Sequence, residues 1–374
     1  MPKKMYIGVD NKARRVKKAY IGVDNKARKI KKMYIGVNNV ARCIFSSSEL
    51  VYYGAATSLD KGRYGLAAAS VGNYALFAGG YANSVQQGTV DAYDSSLTKA
   101  SVEKLNSDRR NLAGVKNGDY AMFGGGVGGS ALTSMDVYGT SLTKHATTVL
   151  SVGRYNLAAT GVGNYALFAG GYTSSAQNKN TTDAYDRSCT RSIPTVLSVA
   201  RNSLAGASNG NYAFFGGGSD ETGVVDTYNT SLTMSTLSSP LSLARSGLAA
   251  ASVGNYVLFA GGYGVVNSTA TFTTVVDAYN KSLTRSTPTA LSVGRRYLAG
   301  AELGSYAMFG GGQTSSSVSN VVDVYDESLT RTNPTGLVAA GQQPAATSVG
   351  EYILFAGGLN GSTYIASVSA YKVS

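Results

Sequence analysis

A tyrosine that leads into a pair of glycines recurs seven times along the chain. Successive tyrosines are 44 to 50 residues apart, at Tyr74, Tyr120, Tyr165, Tyr212, Tyr256, Tyr306 and Tyr352. A repeat of this length is one supersecondary unit that buries its apolar face only against its neighbours, and periods of about 40–50 residues are typical of propellers. The spacing therefore predicts seven small sheets arranged around one axis.

The first repeat indicates how each predicted sheet is built. Its sequence predicts four strands, at 66–71, 74–80, 89–94 and 99–105. Gly72-Asn73 separates the first two strands and is a hairpin signal. The inner strands are rich in alanine, which suits the crowded region near an axis. Leu76 and Phe77 point to opposite faces, so we expect them to fill the contacts with the two neighbouring sheets.

The two ends of the repeat region are predicted to complete one sheet together. The last repeat stops after its third strand, and residues 50–63 align with the fourth-strand segment 144–154 of another repeat. We therefore expect residues 51–55 to supply the fourth strand of the seventh sheet, which would leave no open edge. The predicted fold class is all-β, with a seven-bladed β-propeller over residues 46–374 and a basic β-hairpin arm over residues 1–45.

Three features of the repeats resemble kelch repeats. They are the Gly-Gly pair after the second strand, the run Val-Asp-Ala-Tyr-Asp on the third strand, and an arginine before the first strand. The resemblance implies a kelch-like propeller.

Residues 1–45 form a separate basic segment. It has 13 Lys or Arg residues against 2 Asp or Glu residues, and so accounts for almost all of the formal net charge of +12. Three copies of a 14-residue repeat fill it, and the first copy reads KKMYIGVDNKAR from Lys3. Each copy predicts a short hairpin with Asp-Asn or Asn-Asn at its turn. An isolated hairpin has too little apolar surface to fold in water, so the arm is predicted to pair with another molecule.

The repeated Lys-Lys-Met/Ala-Tyr-Ile-Gly-Val sequence resembles short β repeats in phage-encoded virion proteins of Gram-positive hosts. That resemblance implies an attachment segment that docks to other virion proteins. The residues assigned to attachment are Tyr6, Tyr20, Tyr34, Lys17, Lys18, Lys31 and Lys32. Clustered Lys and Arg would also suit nucleic acid. The hairpin pattern favours docking on a protein instead, so no nucleic-acid partner is expected.

Catalytic and metal chemistry are poorly supported by the sequence. One G-x-S-x-G motif occurs at 206–210, but it aligns with a strand-to-hairpin turn, and the only histidine, His145, is predicted on an outer strand. One histidine and the two distant cysteines Cys43 and Cys189 cannot form the usual zinc or copper ligand sets. We therefore expect no enzymatic activity, no metal and no cofactor.

An arginine recurs three positions before the first-strand leucine of six repeats. These residues are Arg63, Arg109, Arg154, Arg201, Arg245 and Arg295, with Gln342 assigned to the same position in the seventh repeat. Two interpretations are open. The arginines pair with recurring third-strand aspartates and tie the sheets together, or they form an anion-binding ring, in which case Arg63, Arg154 and Arg245 contact a ligand. Unpaired converging charges repel each other, which favours the first interpretation.

The loops after Gly-Gly vary in length, whereas the Gly-Asn turns at the opposite end stay short. Length variation confined to one face is typical of a binding face. The loops are rich in Tyr, Ser, Asn and Gly, a mixture that combines aromatic contact with adaptable hydrogen bonding. The predicted ligand-binding residues of these loops are Tyr81, Tyr172, Tyr263 and Phe272.

Together these features predict a non-enzymatic protein on the surface of a phage or phage-like particle. Its arm would dock to the virion, and its propeller would bind a host cell-surface glycan or protein. Whether the protein is oligomeric on the particle is left open. It would decorate the tail or capsid or serve in receptor binding. The absence of a signal peptide and of a long apolar segment predicts synthesis in the host cytoplasm and no membrane insertion. The alternative is an intracellular kelch-type scaffold for protein interactions, and a hydrolase is a distant third.

Overall fold

The computed structural model describes residues 5–9, 12–16, 19–23, 26–30, 32–37, 40–46, 49–220 and 222–373. Every regular element in these residues is a β-strand. Within this part of the chain, no helix is long and apolar enough to span a membrane. The chain divides into two compact units, one comprising residues 1–51 with 373–374 and the other comprising residues 52–372.

The first unit contains three antiparallel hairpins, one in each 14-residue repeat. Their strands are β1 Met5–Val9, β2 Lys12–Val16, β3 Ala19–Val23, β4 Lys26–Ile30, β5 Lys32–Val37 and β6 Val40–Ser46. Tyr6, Tyr20 and Tyr34 lie on β1, β3 and β5, and Lys32 begins β5. The attachment residues Lys17, Lys18 and Lys31 lie outside the described residues.

The second unit is built from short strands, and its first and last strands extend past its bounds by two residues and one residue. In chain order they are β7 Leu50–Ala56, β8 Ala67–Val71, β9 Tyr74–Ala78, β10 Tyr81–Ala82, β11 Val85–Gln86, β12 Val90–Asp94, β13 Lys99–Ala100, β14 Ala113–Asn117, β15 Tyr120–Gly124, β16 Met135–Gly139, β17 Lys144–His145, β18 Ala158–Val162, β19 Tyr165–Ala169, β20 Thr182–Tyr185, β21 Arg191–Ser192, β22 Ala205–Ser208, β23 Tyr212–Gly216, β24 Val225–Asn229, β25 Met234–Thr236, β26 Arg245–Ser246, β27 Ala249–Val253, β28 Tyr256–Ala260, β29 Tyr263–Val266, β30 Thr269–Phe272, β31 Val276–Tyr279, β32 Arg285–Ser286, β33 Ala299–Leu303, β34 Tyr306–Gly310, β35 Val322–Asp326, β36 Arg331–Thr332, β37 Ala345–Val349, β38 Tyr352–Ala356, β39 Leu359–Asn360, β40 Thr363–Tyr364 and β41 Val368–Val373.

Seven four-stranded antiparallel sheets are formed by the described residues. They are β8-β9-β12-β13, β14-β15-β16-β17, β18-β19-β20-β21, β22-β23-β24-β25, β27-β28-β31-β32, β33-β34-β35-β36 and β37-β38-β41-β7. The first strand of each sheet contacts the first strand of the next sheet along the chain, and β37 of the last sheet contacts β8 of the first. The fold is therefore all-β and propeller-like. Its last sheet takes its fourth strand, β7, from the N-terminal side of the other three.

Large side chains of the second strands fill the space between sheets. Leu76 packs in one cluster with Phe123 and Tyr138 of the following sheet, whereas Phe77 packs in another with Leu354 of the last sheet. Adjacent residues of a strand point to opposite faces, which explains why neighbours in sequence join different clusters. Each burial of a Leu or Phe side chain contributes about 1.5–3 kcal/mol, so the repeated pair supplies much of the core.

The fourth strands are shorter than the sequence predicts. In the first sheet this strand covers only Lys99–Ala100, not residues 99–105. The chain then leaves the sheet edge, because Leu105 is buried and its main-chain N–H donates to the carbonyl of Gly88, 2.8 Å away. Burying this leucine between sheets competes with continuing the ladder, and residues 101–105 become part of the crossover to the next sheet.

The Gly-Gly pair allows close approach between sheets. Gly79 and Gly80 have φ values of +70° and +118°, which side chains rarely tolerate. A Cβ atom on Gly79 would lie 2.6 Å from the carbonyl oxygen of Arg109 in the next sheet. The N–H of Gly80 donates to that same oxygen across 2.8 Å. The glycines are thus required both by backbone conformation and by an inter-sheet hydrogen bond.

Candidate functional site

A recurring set of main-chain contacts brings the variable loops to one face of the second unit. In each sheet, the residue after Gly-Gly pairs with a residue just ahead of the first strand. The pairs are Tyr64–Tyr81, Arg110–Val127, Tyr155–Tyr172, Asn202–Ser219, Ser246–Tyr263, Arg296–Gln313 and Gln342–Leu359. We call the surface formed by these residues and the loops that follow Gly-Gly the loop face.

The recurring arginines are buried next to the loop face. All six have fully buried side chains, and each guanidinium lies 2.7–3.0 Å from an equally buried aspartate. The pairs are Arg63–Asp91, Arg109–Asp136, Arg154–Asp183, Arg201–Asp226, Arg245–Asp277 and Arg295–Asp323. The ligand-binding role predicted for Arg63, Arg154 and Arg245 does not fit this geometry, because their charges are paired and out of reach of a ligand.

Each pair holds one crossover segment onto its own sheet. Arg154 also donates to the carbonyl of Phe168 on the second strand, 3.0 Å away, and Asp183 accepts the main-chain N–H of Ser151 across 3.1 Å. Both charged partners therefore belong to one repeat, whereas the structural interpretation from sequence had the pairs tie neighbouring sheets. The inter-sheet connection is instead the main-chain carbonyl of the arginine, which accepts the N–H of the second glycine in the preceding sheet.

Burial dominates the electrostatics of these pairs. It lowers the pKa of the guanidinium groups of Arg154, Arg201, Arg245 and Arg295, and the facing aspartates oppose that shift. Arginine nevertheless stays charged in proteins, since its ordinary pKa is above about 12. The pairs are thus permanent buried ion pairs, each with further hydrogen bonds to the main chain.

The last sheet lacks this pair. The carbonyl that accepts the N–H of Gly312 there belongs to Gly341, so Gly341 and not Gln342 occupies the position of the arginine. Ser369 occupies the position of the aspartate, and its hydroxyl accepts the N–H of Val338 across 2.9 Å. Ile365 fills the vacated space, because its Cδ1 atom lies so close to Gly341 that a Cβ atom there would clash with it.

Two groups on the loop face combine tyrosine rings with an arginine. In the first, the guanidinium of Arg110 lies 4.2 Å from the ring centroid of Tyr81 and donates to the Tyr64 hydroxyl across 3.0 Å. Tyr64 meets Tyr81 edge-on and stacks on Tyr364 at a centroid distance of 6.2 Å. The Nε atom of Arg110 is buried without a hydrogen-bond partner among the described residues. We call Tyr64, Tyr81, Arg110 and Tyr364 the Arg110 cluster.

The second group surrounds Arg296. Its guanidinium lies 5.0 Å from the ring centroid of Tyr263, 5.2 Å from that of Phe272 and 4.8 Å from that of Tyr297. Tyr263 and Phe272 face each other across the hairpin β29–β30 and contact edge-on. All four side chains are half-buried, so each keeps part of its surface in solvent. We call Tyr263, Phe272, Arg296 and Tyr297 the Arg296 cluster.

All four predicted loop residues lie on the loop face, in three separate groups. Tyr81, Tyr263 and Phe272 lie in the two clusters, and Tyr172 pairs edge-on with Tyr155 at a centroid distance of 5.7 Å. Sequence reasoning did not single out Arg110 and Arg296. A signal was available, since each directly follows a recurring arginine and forms an Arg-Arg dipeptide.

The G-x-S-x-G motif lies at the opposite end of its sheet. Ser208 ends β22, and its hydroxyl accepts the N–H of Gly210 in the following turn across 3.1 Å. His145, the only histidine of the sequence, lies on β17 of a different sheet, where its ring contacts Tyr120. The serine and the histidine are therefore not neighbours.

No protein-family model matches the chain, and no curated protein matches it. Among solved structures, the chain is similar to the one titled "Structure of YjhT". The TM-score is 0.57 at 12% sequence identity, and the match covers 75% of this chain and 99% of that chain. At this identity the likeness supports the all-β, propeller-like fold alone.

Proposed function

We propose that the protein is a non-enzymatic binding module: a seven-bladed, kelch-like propeller whose loop face holds an anionic glycan of a host cell surface. In this proposal the basic arm attaches the propeller to a phage or phage-like particle. The observation that carries the glycan assignment is the pairing of half-exposed tyrosines with Arg110 and Arg296, which form no ion pair among the described residues.

The chemistry of the two clusters supports this ligand class. Aromatic faces offer flat apolar contact area at low cost in side-chain entropy, and the guanidinium group donates several hydrogen bonds in a fixed plane to carboxylate or phosphate oxygens. The recurring arginines are neutralised by aspartates, whereas Arg110 and Arg296 lie against aromatic rings of the loop face without an aspartate partner among the described residues.

The experiment is a glycan array followed by titration of the purified chain with the tightest acidic glycan. Arg110→Gln and Arg296→Gln should each weaken binding by about tenfold, the loss of one charge-assisted contact. The control is Lys372→Gln, because Lys372 lies over Tyr53 and Tyr352 in a cation–aromatic group outside the loop face, where it also pairs with Glu351 across 3.1 Å. Equal binding by the wild type and both loop-face variants, or equal loss in the control, would contradict the proposal.

Particle attachment is tested separately. A chain that begins at residue 49 should keep glycan binding and lose incorporation into particles, as measured by antibody labelling of purified virions. The alternative function, an intracellular scaffold, rests on the kelch-like repeats alone. Neighbouring capsid and tail genes would favour the virion assignment, whereas retained particle incorporation without the arm would refute it.

A further inference from the structure

The first strands of the sheets carry a polar position that the loop face does not explain. Along these strands buried residues alternate with half-buried ones, as in Ala67–Val71, so the second and fourth positions point away from the packed core. The fourth position is small in five sheets and charged in two. Its residues are Ser70, Lys116, Gly161, Ser208, Ser252, Glu302 and Ser348.

Four of these residues, Lys116, Gly161, Ser208 and Glu302, line a cavity between the first strands. It has a volume of about 670 Å³ and is lined from β14, β18, β22 and β33, which include strands of non-adjacent sheets. Lys116 and Glu302 both line it. A second cavity of about 390 Å³ shares Ser208, Gly210 and Glu302 with the first. Volumes of about 300–1,000 Å³ are typical of small-molecule sites.

Four charged residues line the larger cavity: Lys116 and Glu302 lie on first strands, and Asp119 and Arg187 lie in turns. The two strand residues are not paired with each other. Within the described part of the chain, Lys116 forms no ion pair, and Glu302 accepts one hydrogen bond, from the main-chain N–H of Ser252 across 3.2 Å. The Glu302 side chain is exposed at the cavity, and the protein atoms around its carboxyl displace enough water to raise its pKa. A cation placed against this carboxylate would offset that cost.

Asn209 is a second unusual residue beside the smaller cavity. It lines the smaller cavity and is more than nine-tenths buried, yet its amide Nδ2 has no hydrogen-bond partner among the described residues. Asn117, at the same position of another sheet, donates through its Nδ2 to the carbonyls of Tyr185 and Asp186. A buried donor without a partner costs about 1–3 kcal/mol. Asn209 directly follows Ser208 in sequence, so its side chain faces the packed core and not the cavity.

We propose that this cavity binds a small hydrophilic molecule that carries an ammonium group and a carboxylate separated by several bonds. The ammonium group pairs with Glu302 and the carboxylate pairs with Lys116. The hydroxyls of Ser252 and Ser348, which line the smaller cavity with Glu302, bind polar groups near the ammonium end of the molecule. A molecule with adjacent charges does not satisfy both side chains, because they belong to different sheets.

The test is isothermal titration of the full chain with 6-aminohexanoate, with hexanoate and hexylamine as single-charge probes. The variants are Lys116→Ser and Glu302→Ser, which install the residue that most sister sheets carry at this position and so preserve the fold. Each should weaken 6-aminohexanoate binding by about tenfold or more, the equivalent of one ion pair. Hexylamine should keep its weaker affinity in Lys116→Ser, and hexanoate should keep its weaker affinity in Glu302→Ser.

A matched control is Lys179→Ser, which removes a lysine from a loop that follows Gly-Gly and should leave 6-aminohexanoate binding unchanged. The proposal is overturned if 6-aminohexanoate gives no heat at millimolar concentration. It is also overturned if both cavity variants bind it as the wild type does. Neither result affects glycan binding by the loop face, so this test and that of the proposed function can fail independently.

Discussion

The first six sheets and the last sheet hold their crossover segments with different chemistry. The first six bury an arginine and an aspartate together, as in Arg201–Asp226. The last sheet has Gly341 and Ser369 at the same positions, and Ile365 fills the space. The main-chain bond from the second glycine of the preceding sheet is the same in both cases. The fold therefore needs the main-chain bond in every sheet but not the ion pair.

It follows that the two charges are replaceable only together. A buried ion pair often contributes little compared with apolar residues of the same volume, because desolvation offsets the attraction. Removing only one partner destabilises the protein, because it leaves an uncompensated charge in a buried site. The last sheet lacks both charges, so neither position leaves an unpaired buried charge.

All seven sheets share a buried tyrosine on the third strand. Ionising these tyrosines should give the largest change in the free energy of unfolding. The hydroxyl of Tyr228 donates to the carbonyl of Thr195 across 2.7 Å, and burial raises the pKa of Tyr228 to about 12. Burial also raises the pKa of Tyr93, Tyr138, Tyr185, Tyr279, Tyr325 and Tyr371.

The buried tyrosines stabilise the fold only while their hydroxyls stay protonated, because the folded state disfavours the ionised form. The free energy of unfolding should hold up to about pH 10, where tyrosines of the unfolded chain ionise, and fall steeply above it. Thermal unfolding with tyrosinate absorbance measures this. A flat stability profile between pH 10 and 12 would show that the third-strand tyrosines are not protected as the structure indicates.

The next largest effect is expected from Arg201→Met. The substitution keeps the carbonyl that accepts the N–H of Gly171, but leaves Asp226 buried and charged. Unlike the other five aspartates, Asp226 has no second cation within ion-pair distance among the described residues, because Met234 stands where the other sheets carry Lys or Arg. Urea denaturation should show a loss of about 3–5 kcal/mol. A smaller loss than that of Arg295→Met would contradict the role assigned to the second cation.

The double variant Arg201→Met with Asp226→Ser should recover about half or more of that loss. It reproduces the chemistry of the last sheet, since a serine hydroxyl can accept the N–H of Ser198 as Ser369 accepts that of Val338. A double-mutant cycle in the same denaturation assay gives the coupling energy. Additive single effects would mean that the two charges act independently and are not replaceable as a pair.

The smallest effect is expected from Lys144→Met. The Lys144 ammonium lies 3.0 Å from Asp136, and its side chain is 18% exposed, so solvent screens the pair. Removing it makes the second sheet resemble the fourth, and about 1 kcal/mol should be lost. Thermal unfolding would check the size. A loss as large as that of Arg201→Met would show that the second cation, and not the buried arginine, neutralises the aspartate.

Much of the fold could be predicted because the repeat encodes it locally. Gly79 and Gly80 need positive φ values, and the adjacent Leu76 and Phe77 must point to opposite sides, so spacing alone predicts the second strand. The fourth strand was not predictable in length. Leu105 looks like a strand residue in sequence, and only the competition between the ladder and the inter-sheet core removes it from the sheet.

The candidate site was harder to predict because similar residues have opposite environments. Arg109 and Arg110 are neighbours in sequence, yet one is buried against Asp136 and the other lies over the ring of Tyr81. The two arginines are adjacent in sequence, but adjacent side chains of an extended segment point to opposite sides and so reach different surroundings. The cavity could not be predicted from sequence either, because Lys116 and Glu302 line one cavity only through the arrangement of the first strands.

The sheet that combines β7 with β41 has a consequence for the order of events during synthesis. The ribosome delivers β7 before any other strand of the second unit and β41 after all of them. An unpaired strand edge invites pairing with other chains. From the first repeat to the last, β7 must therefore remain without its native neighbour, and the nascent chain is most vulnerable to aggregation until β41 emerges.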